Sequence, residues 1–425
     1  MNVKVFKFGG ASVKDAPAIE NLFQILRRYP DQKLVVVISA MGKTTNFLEK
    51  VLLTYREGKD DVMGLVDELQ AMHEKVAVQL IPDPGMVVDQ LRKLIAQLRD
   101  RLSCEPSNNY DFDYDQIVSF GELLSTTLIS GYLNYAGVNN TWMDARKLIR
   151  TDDTYREGAV DWKVSAEQIC KRIGDGLQQQ DVVLTQGFIG GTAENLTTTL
   201  GREGSDFSAA IIAYSLDAES VTIWKDVPGL LNADPKRFSD AVLLKQIPYE
   251  EAVELAYYGA SIIHPKTLKP LQNKQIPLYV KSFFNPEAEG SSIMACNATN
   301  DVPSYIVKDN QILITIFPKD FSFIAVDNLS EIFAVLSQYR VKINLMQNSA
   351  LSFSVCTDAI PERTMACVEA LKDKYRVKYN ENVQLVTIRH YTEESINKIL
   401  NDRIPLIQQN SRTTVQMALK NDGSL

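Results

Sequence analysis

Leu34-Val35-Val36-Val37-Ile38 is an unbroken apolar run, and it leaves this chain few options. Side chains of a strand alternate between the two faces of a sheet, so such a run needs both faces covered. It is too short for an ordinary helix, and its β-branched residues suit a pleated surface. It therefore predicts a strand inside a parallel sheet flanked by helices. Val3–Phe8 reads as a second strand, ended by Gly9-Gly10, and residues 17–28 place Ile19, Leu22, Phe23 and Leu26 at helical spacing. Strand patterns recur at 181–185 and 220–224, with a helical pattern at 206–215 between them. The stretch 46–102 is mostly helical, interrupted at Pro82-Asp83-Pro84-Gly85. Asp115 is placed to cap a long helix reaching Ala136, with Gly137 as its stop. Strands alternating with helices predict an α/β domain over residues 1–285.

The pattern changes after Phe284. Residues 286–303 are rich in Pro, Gly, Ser, Asn and Ala and read as a linker. Residues 304–425 carry a weak internal repeat. Ile312–Ile316, a helix at 329–339, Val341–Leu345, Gln347-Asn348-Ser349 and Leu351–Val355 form one unit. Leu385–Ile388, a helix at 393–400, Ile404–Ile407, Gln409-Asn410-Ser411 and Thr413–Leu419 form the other. The same tripeptide in the same structural slot points to duplication. The second copy is shortened, with no final helix after its last strand.

Composition narrows the chemistry. With 45 Lys+Arg against 53 Asp+Glu, the net charge of −8 argues against a nucleic-acid partner. No apolar run approaches the ~18 residues of a membrane span, and the start has no signal-peptide pattern. Five cysteines without a CxxC pair suit a reducing compartment, so a cytoplasmic protein is expected. Only three histidines are present, and no GxSxG elbow, which disfavours His/Cys metal sites and Ser-His-Asp hydrolases. Chemistry that needs no imidazole, such as phosphoryl transfer, is favoured.

Several segments could carry it. Lys7-Phe8-Gly9-Gly10-Ala11-Ser12 joins a strand to a helix, where backbone N–H groups, a helix terminus and a lysine can hold an anion. An ordinary tight turn reads equally well. Ser39–Thr45 comes directly after a buried strand and contains Gly42-Lys43-Thr44, but Val37 occupies the position of the first P-loop glycine. It remains a substrate-contact candidate at a strand's carboxyl end. Thr197–Asp206 offers hydroxyls, glycines, Arg202 and an acid leading into a helix that Ser205 or Asp206 can cap. Glu122, between Phe120, Leu123 and Leu124, reads from its spacing as a solvated helix face. Trp224–Gly229 suits a nucleoside pocket or any strand exit.

Together KFGGASV, SFGELLST (119–126), GFIGG (187–191), TTTLGREGSD (197–206), WKDVPG (224–229) and YYGASIIHPKTL (258–268) resemble the aspartate kinases of the amino acid kinase family, in order and spacing over essentially the whole chain. The resemblance implies a three-layer α/β sandwich on a mainly parallel eight-stranded sheet, succeeded by two small α+β ACT modules. With no homoserine dehydrogenase region after them, it implies the monofunctional form. The reaction implied is transfer of the γ-phosphoryl group of ATP, with Mg2+, to the side-chain carboxylate of L-aspartate. That step leads toward lysine, threonine and methionine.

By motif match, Lys7 and Asp206 are the catalytic pair. Lys7, Phe8, Gly9, Gly10, Ser12, Lys225, Asp226, Leu231 and Lys236 line the nucleotide site. Ser39, Thr45, Glu122, Arg202, Gly204 and Ser205 line the aspartate site, with Glu122 meeting the α-ammonium, which reverses the reading from spacing. Mg2+ would come with ATP, helped by Asp206. Ser261 stands where many relatives have lysine, and Leu231 where a tyrosine often comes after the turn. Asp327 and Asn344 replace a glycine and an aspartate of lysine-sensitive relatives, which speaks against lysine; with Asn348 and Ser349 they are the regulatory candidates, for lysine or threonine, with no effector as the alternative. A homodimer or larger assembly through the ACT modules is implied. The alternatives are another kinase of this fold and a catalytically silent amino-acid sensor.

Overall fold

The computed structural model describes residues 2–58, 61–260, 263–296, 302–320 and 322–421. They divide into two compact units, the first of Met1–Leu230, Leu243–Val253 and Ile262–Ala298, the second of Leu231–Val242, Glu254–Ser261 and Thr299–Leu425. Among the described residues no helix is long and apolar enough to cross a membrane.

In the first unit the order is β1 (Val3–Phe8), α1 (Ala16–Leu26), β2 (Lys33–Ile38), α2 (Thr44–Arg56), α3 (Val62–Leu80), α4 (Gly85–Ser103), α5 (Tyr110–Val118), α6 (Phe120–Tyr135) and β3 (Asn140–Met143). Then come α7 (Trp162–Gln179), β4 (Val182–Gln186), β5 (Ile189–Gly191), β6 (Thr197–Thr199), α8 (Gly204–Leu216), β7 (Ser220–Lys225) and β8 (Gln246–Pro248). The last elements are α9 (Tyr249–Tyr258), whose residues from Glu254 onward are counted with the second unit, α10 (Pro265–Lys274), β9 (Leu278–Ser282) and β10 (Ser291–Met294). Eight strands form one sheet in the order β3-β4-β2-β1-β7-β9-β10-β8, parallel throughout except for β9 against β10. Leu34 through Ile38 are all buried, as the apolar run requires.

Several expectations need correcting. The stretch read as a linker contains β10, paired on both sides within the sheet. The long helix expected up to Ala136 is two helices meeting at Ser119, and α5 is capped by Asn109 rather than Asp115. Gly137 does end α6, at a φ of 88° that suits glycine. Neither Ser205 nor Asp206 caps α8, whose N-cap is Glu203. Gly9-Gly10 leads into one turn of 3-10 helix at Gly10–Val13, and α1 begins later behind an Asp15 cap. The α1 terminus is therefore not part of the glycine turn.

The second unit is built on a six-stranded antiparallel sheet. Its elements are β11 (Ser304–Pro318), α11 (Val326–Gln338), β12 (Ile343–Asn348), β13 (Phe353–Asp358), α12 (Pro361–Lys372), β14 (Tyr375–Arg389), α13 (Glu393–Leu400), β15 (Ile407–Asn410) and β16 (Thr414–Lys420), in the sheet order β12-β13-β11-β14-β16-β15. The long strands β11 and β14 serve both repeats. Residues 304–308 pair with 385–389, and 311–318 with 375–383. At the register shifts of this pairing Asn310 and Asn382 take left-handed φ values of 52° and 54°, marking the bulged junction.

The recurring Gln-Asn-Ser has a physical basis. In each copy Gln and Asn end an edge strand. The serine then closes the hairpin, Ser349 Oγ accepting from Ser352 N and Ser411 Oγ from Thr414 N. The second repeat has a single helix, α13. The rest of its apolar face, Val386, Ile388, Val415, Met417 and Leu419, packs with Ala233 and Phe238 from the irregular segment Leu231–Val242. Phe238 stacks on Tyr305 at 5.0 Å.

Candidate active site

Sheet register assembles the site. Phe8 of β1 lies beside Ile38 of β2 and Trp224 of β7, while Gln186 of β4 lies beside Ile38. All four strands run parallel, so the loops after them emerge at one carboxyl edge, where open α/β sheets bind ligands. The β1 and β2 loops touch backbone to backbone. Gly42 N donates to Gly10 O at 3.0 Å, and a Cβ on Gly10 would sit 2.8 Å from Gly42 O and 2.9 Å from Ala40 O. Glycine is what permits that approach.

Lys7, the penultimate residue of β1, is 8% exposed, and its Nζ lies 2.7 Å from Asp206 Oδ1. Asp206, in the first turn of α8, is 3% exposed and has Lys225 Nζ 3.8 Å from Oδ2. One buried carboxylate thus stands between two ammonium groups. Beside it, Ser39 Oγ donates to Ser205 Oγ at 2.9 Å, tying the β2 loop to α8. Gly187 leaves room for this, since a Cβ there would meet Ser205 at 2.5 Å. Gly204 is similarly packed against Phe188.

Glu122, in the first turn of α6, is only 2% exposed, so the solvated-face reading fails. Its Oε1 accepts from Ala40 N at 3.2 Å, and Oε2 is buried without a hydrogen-bond partner among the described residues. Burial pushes its carboxyl up to about 8, against the pull of the Ala40 N–H and the Lys7 ammonium. An orphaned buried acceptor of this kind is suited to an incoming donor, preferably a cation.

Other candidates are more open. Arg202 is exposed, with no ion pair or hydrogen bond among the described residues, and Thr45 is half-buried in the first turn of α2. Asp226 is exposed. Ser12 Oγ donates to Trp224 O at 3.4 Å. The Phe8 side chain is fully buried and stacks on Trp224, itself 1% exposed, so both rings are core and neither forms a nucleoside pocket. Leu231 and Lys236 belong to the second compact unit, where Lys236 is exposed. Ser261 lies outside the described residues.

A model of the amino acid kinase family matches residues 2–282. The lysine-sensitive aspartokinase 3 of Escherichia coli is 30% identical over 402 residues, covering 91% of this chain and 86% of that protein. The chain belongs to the aspartokinases of the amino acid kinase family. A bifunctional chloroplastic aspartokinase/homoserine dehydrogenase of Zea mays is 30% identical over 376 residues, and there the match spans 86% of this chain but 40% of the relative. The crystal structure of Escherichia coli aspartokinase III with aspartate and ADP aligns at a TM-score of 0.85 and 26% identity, covering 100% of this chain and 97% of that one. The same aspartokinase with lysine and aspartate aligns at 0.82. The sheet expected from the family resemblance, eight-stranded and mainly parallel, is the one observed, and so are the small α+β repeats after it.

Sequence reasoning missed Asp115 as a site-building residue. It is fully buried and binds the strand that leads to Arg202. The available signal was an acid inside a helix beside apolar neighbours, the same signal as at Glu122.

Proposed function

We propose that this chain is an aspartate kinase that transfers the γ-phosphoryl group of ATP to the β-carboxylate of L-aspartate, giving ADP and 4-phospho-L-aspartate. The observation that carries the reading is the buried Lys7–Asp206 pair with the half-buried Lys225 at the sheet edge, and the orphaned Glu122 carboxylate near enough to feel Lys7. The aspartate and ADP held by the Escherichia coli structural relative support it.

The acceptor carboxylate has a reference pKa of ~3.9 and is ionised at neutral pH, so no general base is needed. Catalysis reduces to alignment and to neutralising charge on the transferring group. Lys7 meets the phosphoryl oxygens, the N–H groups of Gly9 and Gly10 cradle them, and Asp206 holds Lys7 in place. Lys225, Asp226, Leu231 and Lys236 serve the nucleotide. Glu122 takes the substrate's ammonium, Arg202 a carboxylate, and Thr45 and Ser39 donate hydrogen bonds. Asp206 is also the carboxylate available to Mg2+, which when bound with ATP supplies further charge neutralisation on the phosphates.

The second unit is read as an amino-acid-sensing region of a cytoplasmic enzyme, with Asp327, Asn344, Asn348 and Ser349 as its regulatory residues. Asp327, Asn348 and Ser349 are exposed. Asn344 is already engaged, donating to Gln311 Oε1 and Asp358 Oδ1 and accepting from Lys308 Nζ. The exposed Met346 on the edge strand β12 and Leu351 just after it, with exposed Phe323 just before α11 and Val326 at its start, support a homodimer through this unit. A single-chain mass by light scattering would overturn that assembly.

The deciding experiment traps acyl phosphate as hydroxamate with MgATP and L-aspartate, uses L-glutamate as control, and repeats each run with lysine and with threonine. Aspartate-dependent hydroxamate is expected. Lys7→Ala should lower kcat by about 1,000-fold or more in protein that remains folded at the assay temperature, with some loss of melting temperature because Asp206 keeps only Lys225. Folded protein that makes no hydroxamate from aspartate would move the reading to another acceptor or to a sensor.

A further inference from the structure

Asp115 is fully buried in α5, and its carboxylate collects three hydrogen bonds from two separate segments. Thr199 N and Thr199 Oγ1 donate at 2.9 and 2.7 Å, and Arg156 N donates at 2.9 Å. The next residue of α5, Gln116, grips the same strand two residues upstream, its side chain donating to Thr197 O and accepting from Thr197 N. β6 is therefore docked onto α5 at both ends.

The turn from β6 into α8 is short and tightly constrained. Leu200 N donates to Phe188 O, Gly201 takes a φ of 75°, Gly204 N donates to Gly201 O, and α8 begins. Arg202 sits in the middle of this turn, three residues from Thr199, with its guanidinium unengaged among the described residues. The Arg156–Glu157 segment lies directly against the turn, since a Cβ on Gly201 would be 3.1 Å from Arg156 O. The side chain of Arg156 is turned away over Tyr114, at 4.3 Å, and toward Asp111. Asp115 thus fixes both walls from which Arg202 projects.

We propose that Asp115 is a positioning residue that sets the affinity for aspartate by holding β6 and the Arg156 segment in the register that presents Arg202. This rests on the aspartate kinase reading and deepens it. Its carboxyl touches no reacting group, so the defect expected on removing it lies in substrate binding. Burying an acid so deeply costs stability, as the rise of its pKa to about 6 shows, and a purely structural latch needs no charge. Gln116 beside it is such a neutral latch.

The test is a double-mutant cycle in the hydroxamate assay. Asp115→Asn is isosteric and exchanges one accepting oxygen for a donor. It should raise the KM for aspartate about tenfold or more, with kcat and the KM for ATP within about threefold. Arg202→Ala should raise the same KM, and the double variant should match Arg202→Ala within about threefold, because one change has already lost what the other removes. Thr199→Val, which removes only the hydroxyl donor, should shift the KM in the same direction with little loss of melting temperature.

The proposal is overturned if the two effects multiply, if the KM for ATP rises equally, or if Asp115→Asn leaves the aspartate KM unchanged. It is also overturned if Asp115→Asn acts while Arg202→Ala does not. Wild-type protein without aspartate-dependent product would defeat the kinase reading itself, a separate outcome.

Discussion

Burial holds the Glu122 carboxyl at about 8, well above the usual carboxylate range, so its protonated form is favoured in the unliganded site. An ammonium group is bound well only by the ionised form, so aspartate must compete with a proton. The kcat/KM for aspartate should therefore fall on lowering the pH below about 8, approaching tenfold per unit, and Glu122→Gln should lose that limb along with most of the affinity. The sign for stability is opposite. A carboxyl whose folded pKa is raised stabilises the fold fully below its unfolded value of 4.5, and that contribution is lost as pH rises through 8. Melting curves should show Glu122→Gln gaining on the wild type between those limits; a pH-independent difference would remove the basis of the assignment. Residue spacing had placed this side chain in solvent. It fails because residues 120–126 are buried throughout, and a helix buried all round has no polar face against which to read its phase. Lys7 and Gly10 were legible for the opposite reason: a strand-to-turn junction displays its special residues in sequence.

Helices α3, α4 and α6 form a layer that is closely packed at Gly131, where a Cβ would come within 2.3 Å of Val87. His73 of α3 is fully buried in this layer. Its Nδ1 meets Leu69 O at 2.8 Å, and Nε2 has no partner among the described residues. Burial pushes the imidazole below its usual 6.5, so it stays neutral when folded and takes a proton first on unfolding. Stability contributed by this residue is present above pH 6.5 and is lost as the pH falls below it. His73→Leu should therefore narrow the drop in melting temperature between pH 7.5 and 5.5; an unchanged drop would show the residue is not the sensitive group. An element boundary was legible where a glycine marks it, as at Gly137. The α5–α6 break was not, because Ser119 keeps helical angles (φ −57°, ψ −22°) and only the hydrogen-bond ladder shifts. β10 was hidden in a Ser- and Asn-rich stretch because its strand character comes from its partners rather than its own residues.

The duplication was legible at the scale of the whole molecule because the closing serine of each hairpin is fixed by chemistry. The cover over the shortened copy was not, since Leu231–Val242 lies far upstream and is irregular. Removing Phe238, which is 5% exposed, opens a cavity in that core. Phe238→Ala should cost about 3–5 kcal/mol in urea unfolding of the full chain, against less than ~1 for an exposed phenylalanine such as Phe284. A loss below ~1 kcal/mol would mean the segment merely rests on the sheet.

The chain passes from one unit to the other at 230/231, 242/243, 253/254, 261/262 and 298/299. A protein joined this way cannot be re-engineered as beads on a string. Grafting the second unit of a relative onto this kinase through one splice after residue 298 would import a foreign sheet while leaving Ala233 and Phe238 shaped for the native one. A workable chimera carries residues 231–242 and 254–261 along with the graft. The same stitching makes the two units a single piece for any exchange between relatives.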